Sequence, residues 1–309
     1  MHKTCIKQLD SFQLYRTLIA SMKLLLFFVL SLAAHGLDVA SLHPLITDAV
    51  RQVGGDRVKI VEVVKPGMNV HKFQPKASDI KSMARARLVF ASGKNLEPYL
   101  KGLKDSLQAH QTIIEVGKSI PSQKISAEDE IYACCPHHAA GGIDPHWWHN
   151  VRNMERAVRV IEKELIKADP AGKAIYTANS KAARTRLTQL DRWVKGQVAT
   201  IPRGKRHLVT AHAAFGYFCK GYGFKASFVQ GLSAQGEVSA TQLADAIEQL
   251  QVERIPMVFP EKSANPKILQ QIAKQTGAKV GKPLIADGAT KSYQAMIKSN
   301  VTNVVNGLK

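Results

Sequence analysis

Residues 169–202 read DPAGKAIYTANSKAARTRLTQLDRWVKGQVATIP. Tyr176, Ala183, Leu187, Leu190, Val194, Val198 and Ile201 recur at steps of seven, four, three, four, four and three. These steps put the apolar side chains on one face of a single α-helix. Asp169 is placed to cap the amino end, with Pro170 at the first helical position, and Pro202 and Gly204 end the run. At the helical rise the segment spans about 45 Å. Past its first turn no glycine interrupts it before Gly196. Such a segment is a stiff rod, and what flanks it decides the fold.

Short strand patterns and amphipathic helix patterns alternate on both sides. Upstream, 38–42, 57–64, 87–92 and 111–116 read as strands, with helices at 44–53, 77–86 and 95–107. Downstream, 207–211, 225–230, 256–260 and 282–286 read as strands. Helices fall between them at 214–223, 239–251 and 265–277, and a last one runs from 290 to 305. The order βαβα favours parallel sheets covered by helices. The expected fold class is therefore α/β: two lobes, each with a parallel sheet, joined by a single long rigid helix. The lobes are 37–168 and 202–309, and the linking helix is 169–201. Segment 118–145 holds SIPSQ, EDE, CCPHH and AAGG, and is long for a connection inside a compact lobe. It reads as a mobile or functional loop.

The first 36 residues read as a secretory leader. Met22-Lys23 precedes the apolar run LLLFFVLSLAAHG, which is too short to span a membrane. Ala34-His35-Gly36 is a cleavage site, and Met22 is an alternative start. No cysteine stands at the exit, so the expected product is periplasmic and not lipid-anchored. Removing 36 of 309 residues leaves 273, and the net charge falls from +19 to about +16. The cations are scattered along the chain with no run of five, and no nucleic-acid-reading motif is present. Cys134, Cys135 and Cys219 remain, an odd number that builds no disulfide framework.

Four metal-ligand residue types stand just beyond strand or loop ends. His71 lies in KPGMNVHKFQP, His146 in DPHWW, His212 directly after its strand, and Asp287 directly after 282–286. Ligands of open α/β sheets gather at the carboxyl ends of strands. Two facing lobes would bring His71 and His146 against His212 and Asp287. Three imidazoles and one carboxylate complete a tetrahedral shell, which suits zinc. Taken singly, each histidine reads as a surface residue and Asp287-Gly288 as a turn.

Residues 39–100, DPHWW, TAHAAFGYF, VFPEKSANPK and the ADG of 286–288 together resemble the zinc/manganese-binding proteins of bacterial ABC importers, cluster A-I. The resemblance covers the whole chain past the leader. It implies a metal held between two lobes, with ligands at His71, His146, His212 and Asp287. In the family, histidine at the third position goes with zinc and glutamate with manganese, so His212 implies zinc. His149 stands where the family commonly has an apolar residue, leucine and aspartate after DPH, and is a rival ligand. His43 is expected at the cleft rim as packing or support, and Glu261 as a carboxylate able to orient a ligand histidine.

The expected function is capture of Zn²⁺ and its delivery to an ABC permease of the inner membrane, by a monomer that carries out no reaction. A periplasmic metallochaperone is a further candidate partner. A manganese-binding homologue, a zinc hydrolase and a metallochaperone are the alternatives. Ligand histidines must be neutral, so affinity is expected to fall below about pH 6. Release is expected from movement of the loop bearing His71 and of 118–145. Within that segment, Cys134, Cys135, His137 and His138 read either as a weak accessory metal site or as a solvated loop.

Overall fold

A computed structural model describes residues 36–124, 142–230, 239–262 and 264–309. The leader, Met22, and Cys134, Cys135, His137 and His138 lie outside the described residues. Strand β1 (Leu37–Ser41) leads into helix α1 (Pro44–Gly54), then β2 (Val58–Glu62), α2 (Ala77–Ser82), β3 (Leu88–Ala91), α3 (Leu100–Ser106) and β4 (Thr112–Glu115). These strands form a wholly parallel sheet in the order β2-β1-β3-β4. Strand β3, LVFA, is buried at every position, as an internal strand covered on both faces must be.

Helices α4 (Val151–Ala168) and α5 (Lys173–Ala199) follow. The second lobe contains β5 (His207–His212), α6 (Gly216–Tyr222), β6 (Lys225–Gln230), α7 (Ala240–Val252), β7 (Met257–Val258), α8 (Lys267–Thr276), β8 (Lys279–Val280) and α9 (Tyr293–Leu308). Strands β5 and β6 pair in parallel, as do β7 and β8. A parallel bridge from Thr210 to Phe259 joins the two pairs. The resulting order, β6-β5-β7-β8, repeats the first lobe's arrangement, with the first strand inside.

Two expectations shift. The strand expected at 282–286 is instead the two-residue β8 at Lys279–Val280, plus a lone bridge from Leu284 to Glu261. Pro283 lacks an N–H and cannot continue a ladder. Asp169 does not cap the long helix. Its carboxylate accepts from Arg57 Nε at 2.6 Å, Arg57 Nη2 at 3.1 Å and the Tyr176 hydroxyl at 2.6 Å. A 3₁₀ turn at Pro170–Gly172 intervenes, and α5 starts at Lys173. Gly172 is required there, because a Cβ would lie 2.4 Å from the Tyr176 ring.

All seven apolar residues of the helix stripe are buried. They belong to one continuous core running from Val39 in β1 through Leu187 and Val194 to Leu308 at the end of α9. Helix α5 packs against α4, α1 and α9, so both lobes share its buried face. A separate core, including Val209, Val229, Leu250 and Ile272, lies in the second lobe. Each fully buried Leu or Val contributes about 1.5–3 kcal/mol. Two lobes sealed to one helix in this way resist wide opening.

Candidate metal centre

The four residues anticipated as ligands converge. One ligand atom each from His71, His146, His212 and Asp287 lies within 4.8 Å of all the others. His71 Nε2 stands 3.1 Å from His146 Nε2. Asp287 Oδ1 stands 3.6 Å from each of these two nitrogens. The His212 ring centroid is 5.1 Å from that of His146 and 5.7 Å from that of His71. His212 Nε2 and Asp287 Oδ1 are buried without a hydrogen-bond partner. Orphaned buried polar atoms are costly unless something absent from the protein itself completes them.

The backbone places each group. His212 is the last residue of β5. His71 sits in the turn region between β2 and α2, its N–H anchored by Asn69 Oδ1 at 3.0 Å. His146 precedes a 3₁₀ turn, Trp147–His149, that feeds α4. Asp287 comes three residues after the Leu284 bridge. The next residue, Gly288, has φ +76°, a left-handed turn that any side chain would strain.

Carboxylates set the tautomers. Asp144 Oδ1 accepts from the His146 backbone N–H at 2.8 Å and faces His146 Nδ1 at 2.9 Å. Glu261 accepts from the His212 backbone N–H at 2.9 Å through one oxygen and holds Nδ1 through the other. With Nδ1 donating to a carboxylate, the Nε2 of each ring presents its lone pair to the centre when the ring is neutral. Glu261 was legible as a candidate for this role. Asp144 was not singled out, although it stands in the DPH motif.

Burial holds the pKa of His146 well below the usual imidazole range. Burial also works against a charged His212, but the Glu261 charge and hydrogen bond, with Asp287 and Asp144 beyond, outweigh it and raise His212 to about 9. For Asp287, burial works against the charged form. The surrounding His71, His212 and His146 nevertheless keep its carboxyl well below the usual range.

His149 is not a rival ligand. Its Nε2 lies 2.9 Å from the Ala286 carbonyl oxygen, and its ring packs on Phe215 at 4.4 Å. Burial lowers its pKa to about 4. Trp148 Nε1 donates to the same carbonyl at 2.9 Å. The Trp148 carbonyl accepts from the Tyr293 hydroxyl at 2.7 Å. The WWH segment of one lobe therefore grips the residue preceding Asp287 in the other. His43 is fully buried: its Nδ1 accepts from Leu45 N–H at 3.2 Å as the cap of α1, and its ring lies against Trp148.

Two α/β lobes clamped on a long helix, with a small polar centre between them, define a solute-binding protein. Residues 39–307 match the family described as zinc-uptake complex component A, periplasmic, and the chain belongs to it. The family consists of metal-binding transport proteins that serve the membrane permeases of ABC importers, not of enzymes, which removes the hydrolase alternative. Among curated relatives, the manganese-binding lipoprotein MntA of Bacillus subtilis is 29% identical over 88% of this chain and 89% of its own length. The iron-binding protein YfeA of Yersinia pestis is 28% identical over 87% of this chain and 85% of its own. The solved periplasmic zinc-binding protein TroA of Treponema pallidum superposes with a TM-score of 0.78 at 26% identity, covering 89% of this chain and 99% of that one. Several relatives are named lipoproteins, which stands against the expectation of a chain without a lipid anchor.

Proposed function

We propose that the chain captures Zn²⁺ between the lobes 37–168 and 202–309, carried by the linking segment 169–201 with its helix α5, and delivers it to the permease of an ABC importer. His71, His146, His212 and Asp287 are its ligands in this reading. The observation that carries it is the donor set. Three imidazoles and a single carboxylate, with two imidazoles held by carboxylates on Nδ1, make a closed four-coordinate shell of the kind zinc takes. Manganese prefers more oxygen donors. Because zinc outcompetes manganese at most nitrogen sites, affinity alone does not define the cargo.

Release starts at His71. It sits on an irregular connection and is the partly exposed histidine of the three, whereas His146 and His212 are fully buried. Proton competition, expected below about pH 6, extends higher in this reading. His212, raised to about 9, must lose a proton before it can ligate.

A second reading, manganese capture, is favoured by relatives named for that metal. Competition titration of the metal-free protein with zinc and manganese separates the two. The zinc reading expects zinc to bind at one equivalent and to resist displacement by a large excess of manganese. Retention of manganese against equimolar zinc would establish the second reading.

A further inference from the structure

Helix α4 buries Val151, Met154, Ala157, Val158, Ile161 and Leu165 against the core. Its exposed positions are Arg152, Arg156, Arg159, Lys163 and Lys167, so every one is a cation. They fall at steps of four, three, four and four. At 100° per residue the stripe covers about 80° of arc and runs about 22 Å along the axis. Cations that look scattered in the sequence are thus aligned by the helix.

Little neutralises them. Arg159 pairs with Glu155 on its own helix at 2.9 Å, and Arg152 approaches Asp191 at 3.6 Å. Arg156 donates to the uncharged Asn153 side chain. Lys163 and Lys167 form no ion pair among the described residues. Glu162, which flanks Lys163, is engaged by the Ser180 hydroxyl, and Glu164 is half-buried. The adjoining helix α5 carries six cations and one acid, Asp191, which is buried. An open groove of about 340 Å³ separates the two helices, with Arg152, Arg156 and Arg159 on one wall and Leu187 and Thr188 on the other. Helix α9 looks different: its exposed positions are Gln294, Ala295, Lys298, Ser299, Thr302 and Asn306, with a single cation.

We propose that the α4 stripe is a membrane-docking surface that lies against the anionic phospholipid head groups of a bilayer. Charge complementarity and shape both favour this partner. Clusters of four to eight Lys and Arg on one helix face bind anionic bilayers, and the attraction falls off within a Debye length. A straight stripe on a convex helix matches a flat sheet of phosphates better than it encloses a small anion. The groove beside it is also lined by Glu155 and Asp191, which Arg159 and Arg152 offset, so the phosphates are met by the exposed stripe itself. Docked this way, the protein would search for its permease in two dimensions and not three.

The test is co-sedimentation of the full chain with phosphatidylcholine vesicles and with vesicles carrying 30% phosphatidylglycerol. The wild type is compared with a variant in which Arg152, Arg156, Arg159, Lys163 and Lys167 are all replaced by Gln. A control replaces five exposed lysines of the other lobe, Lys262, Lys267, Lys274, Lys279 and Lys282, by Gln. All three proteins carry the same residues 1–36, so any contribution of that region cancels. The wild type and control should bind the anionic vesicles at least about tenfold more strongly than the stripe variant at 0.1 M salt. High salt should erase the difference. Equal binding by the stripe variant and the wild type, or equal loss in stripe variant and control, would overturn the proposal. So would wild-type binding no stronger to anionic than to neutral vesicles. Circular dichroism and unchanged zinc stoichiometry confirm that both variants are folded.

Discussion

The two lobes share a strand order, and the first strand of each is followed within two residues by, or ends on, a buried histidine. After β1 it is His43, and at the end of β5 it is His212. Both present a buried Nε2 with no protein partner. Their chemistry diverges at the other ring nitrogen. His43 Nδ1 accepts a backbone N–H, which puts the proton of the neutral ring on Nε2, and burial lowers its pKa to about 3. An N–H cannot coordinate a cation. His212 Nδ1 faces Glu261, so its Nε2 is free to ligate once the ring has lost its extra proton. The lesson is that position at a strand end brings a histidine to the cleft, and the partner of Nδ1 decides whether it can ligate.

The largest effects come from breaking that contrast directly. Replacing His212 by Ala should weaken zinc binding by more than the roughly 100-fold typical of losing an outer-shell partner. The His43→Ala protein should bind zinc within about threefold of the parent. It should instead unfold at lower temperature, because it loses a helix cap worth about 1 kcal/mol as well as packing against Trp148. Calorimetric titration and thermal melts read the two outcomes, and equal loss of affinity in both variants would erase the distinction.

Glu261→Gln sharpens the comparison by changing only the partner. Zinc affinity should drop about 10–100-fold with stoichiometry retained.

The proton provides a third handle. His212 of the metal-free protein stays charged up to about pH 9, so zinc binding near neutrality displaces about one proton from it. Affinity should rise about tenfold per pH unit between 7 and 8 and level off above 9. Stability of the metal-free protein runs the other way. The raised pKa of His212 contributes stability that is complete below the unfolded value of about 6.5 and lost as pH rises through about 9. Proton release measured in buffers of different ionisation enthalpy checks the first trend, and urea melts across this range check the second. The Glu261→Gln protein should release fewer protons near pH 7.5.

The smallest effect lies at the interlobe grip. Trp148→Phe removes one donor to the Ala286 carbonyl while His149 keeps the other. Chemical denaturation should show a loss of about 0.5–1.5 kcal/mol. Zinc affinity should change only slightly.

The long helix, which runs Lys173–Ala199 and not 169–201, and the parallel sheets were legible because apolar spacing is local information. The stripe from Tyr176 to Ile201 is buried throughout. What escaped depended on distant partners. Asp169 looks like a cap until Arg57, 112 positions earlier, claims its carboxylate. His149 looks like a ligand until the Ala286 carbonyl, 137 positions later, engages its ring. The four residues that converge were legible as positions beyond strand or loop ends, although His212 alone ends a strand in the structure, and the roles of Asp144 and the Trp148 grip follow only from folded geometry. The cation stripe of α4 was hidden for a related reason. In linear order its members alternate with Asn153, Glu155, Glu162 and Glu164, and only helical periodicity sorts exposed from buried.

Zinc K-edge X-ray absorption of the protein loaded with one equivalent of zinc tests the central claim most directly. Ligation by His71, His146, His212 and Asp287 gives four nitrogen or oxygen neighbours at about 2.0–2.1 Å, with the outer-shell scattering of three imidazoles and no sulfur. A sulfur neighbour at about 2.3 Å would place the metal on a cysteine and contradict the four-residue centre.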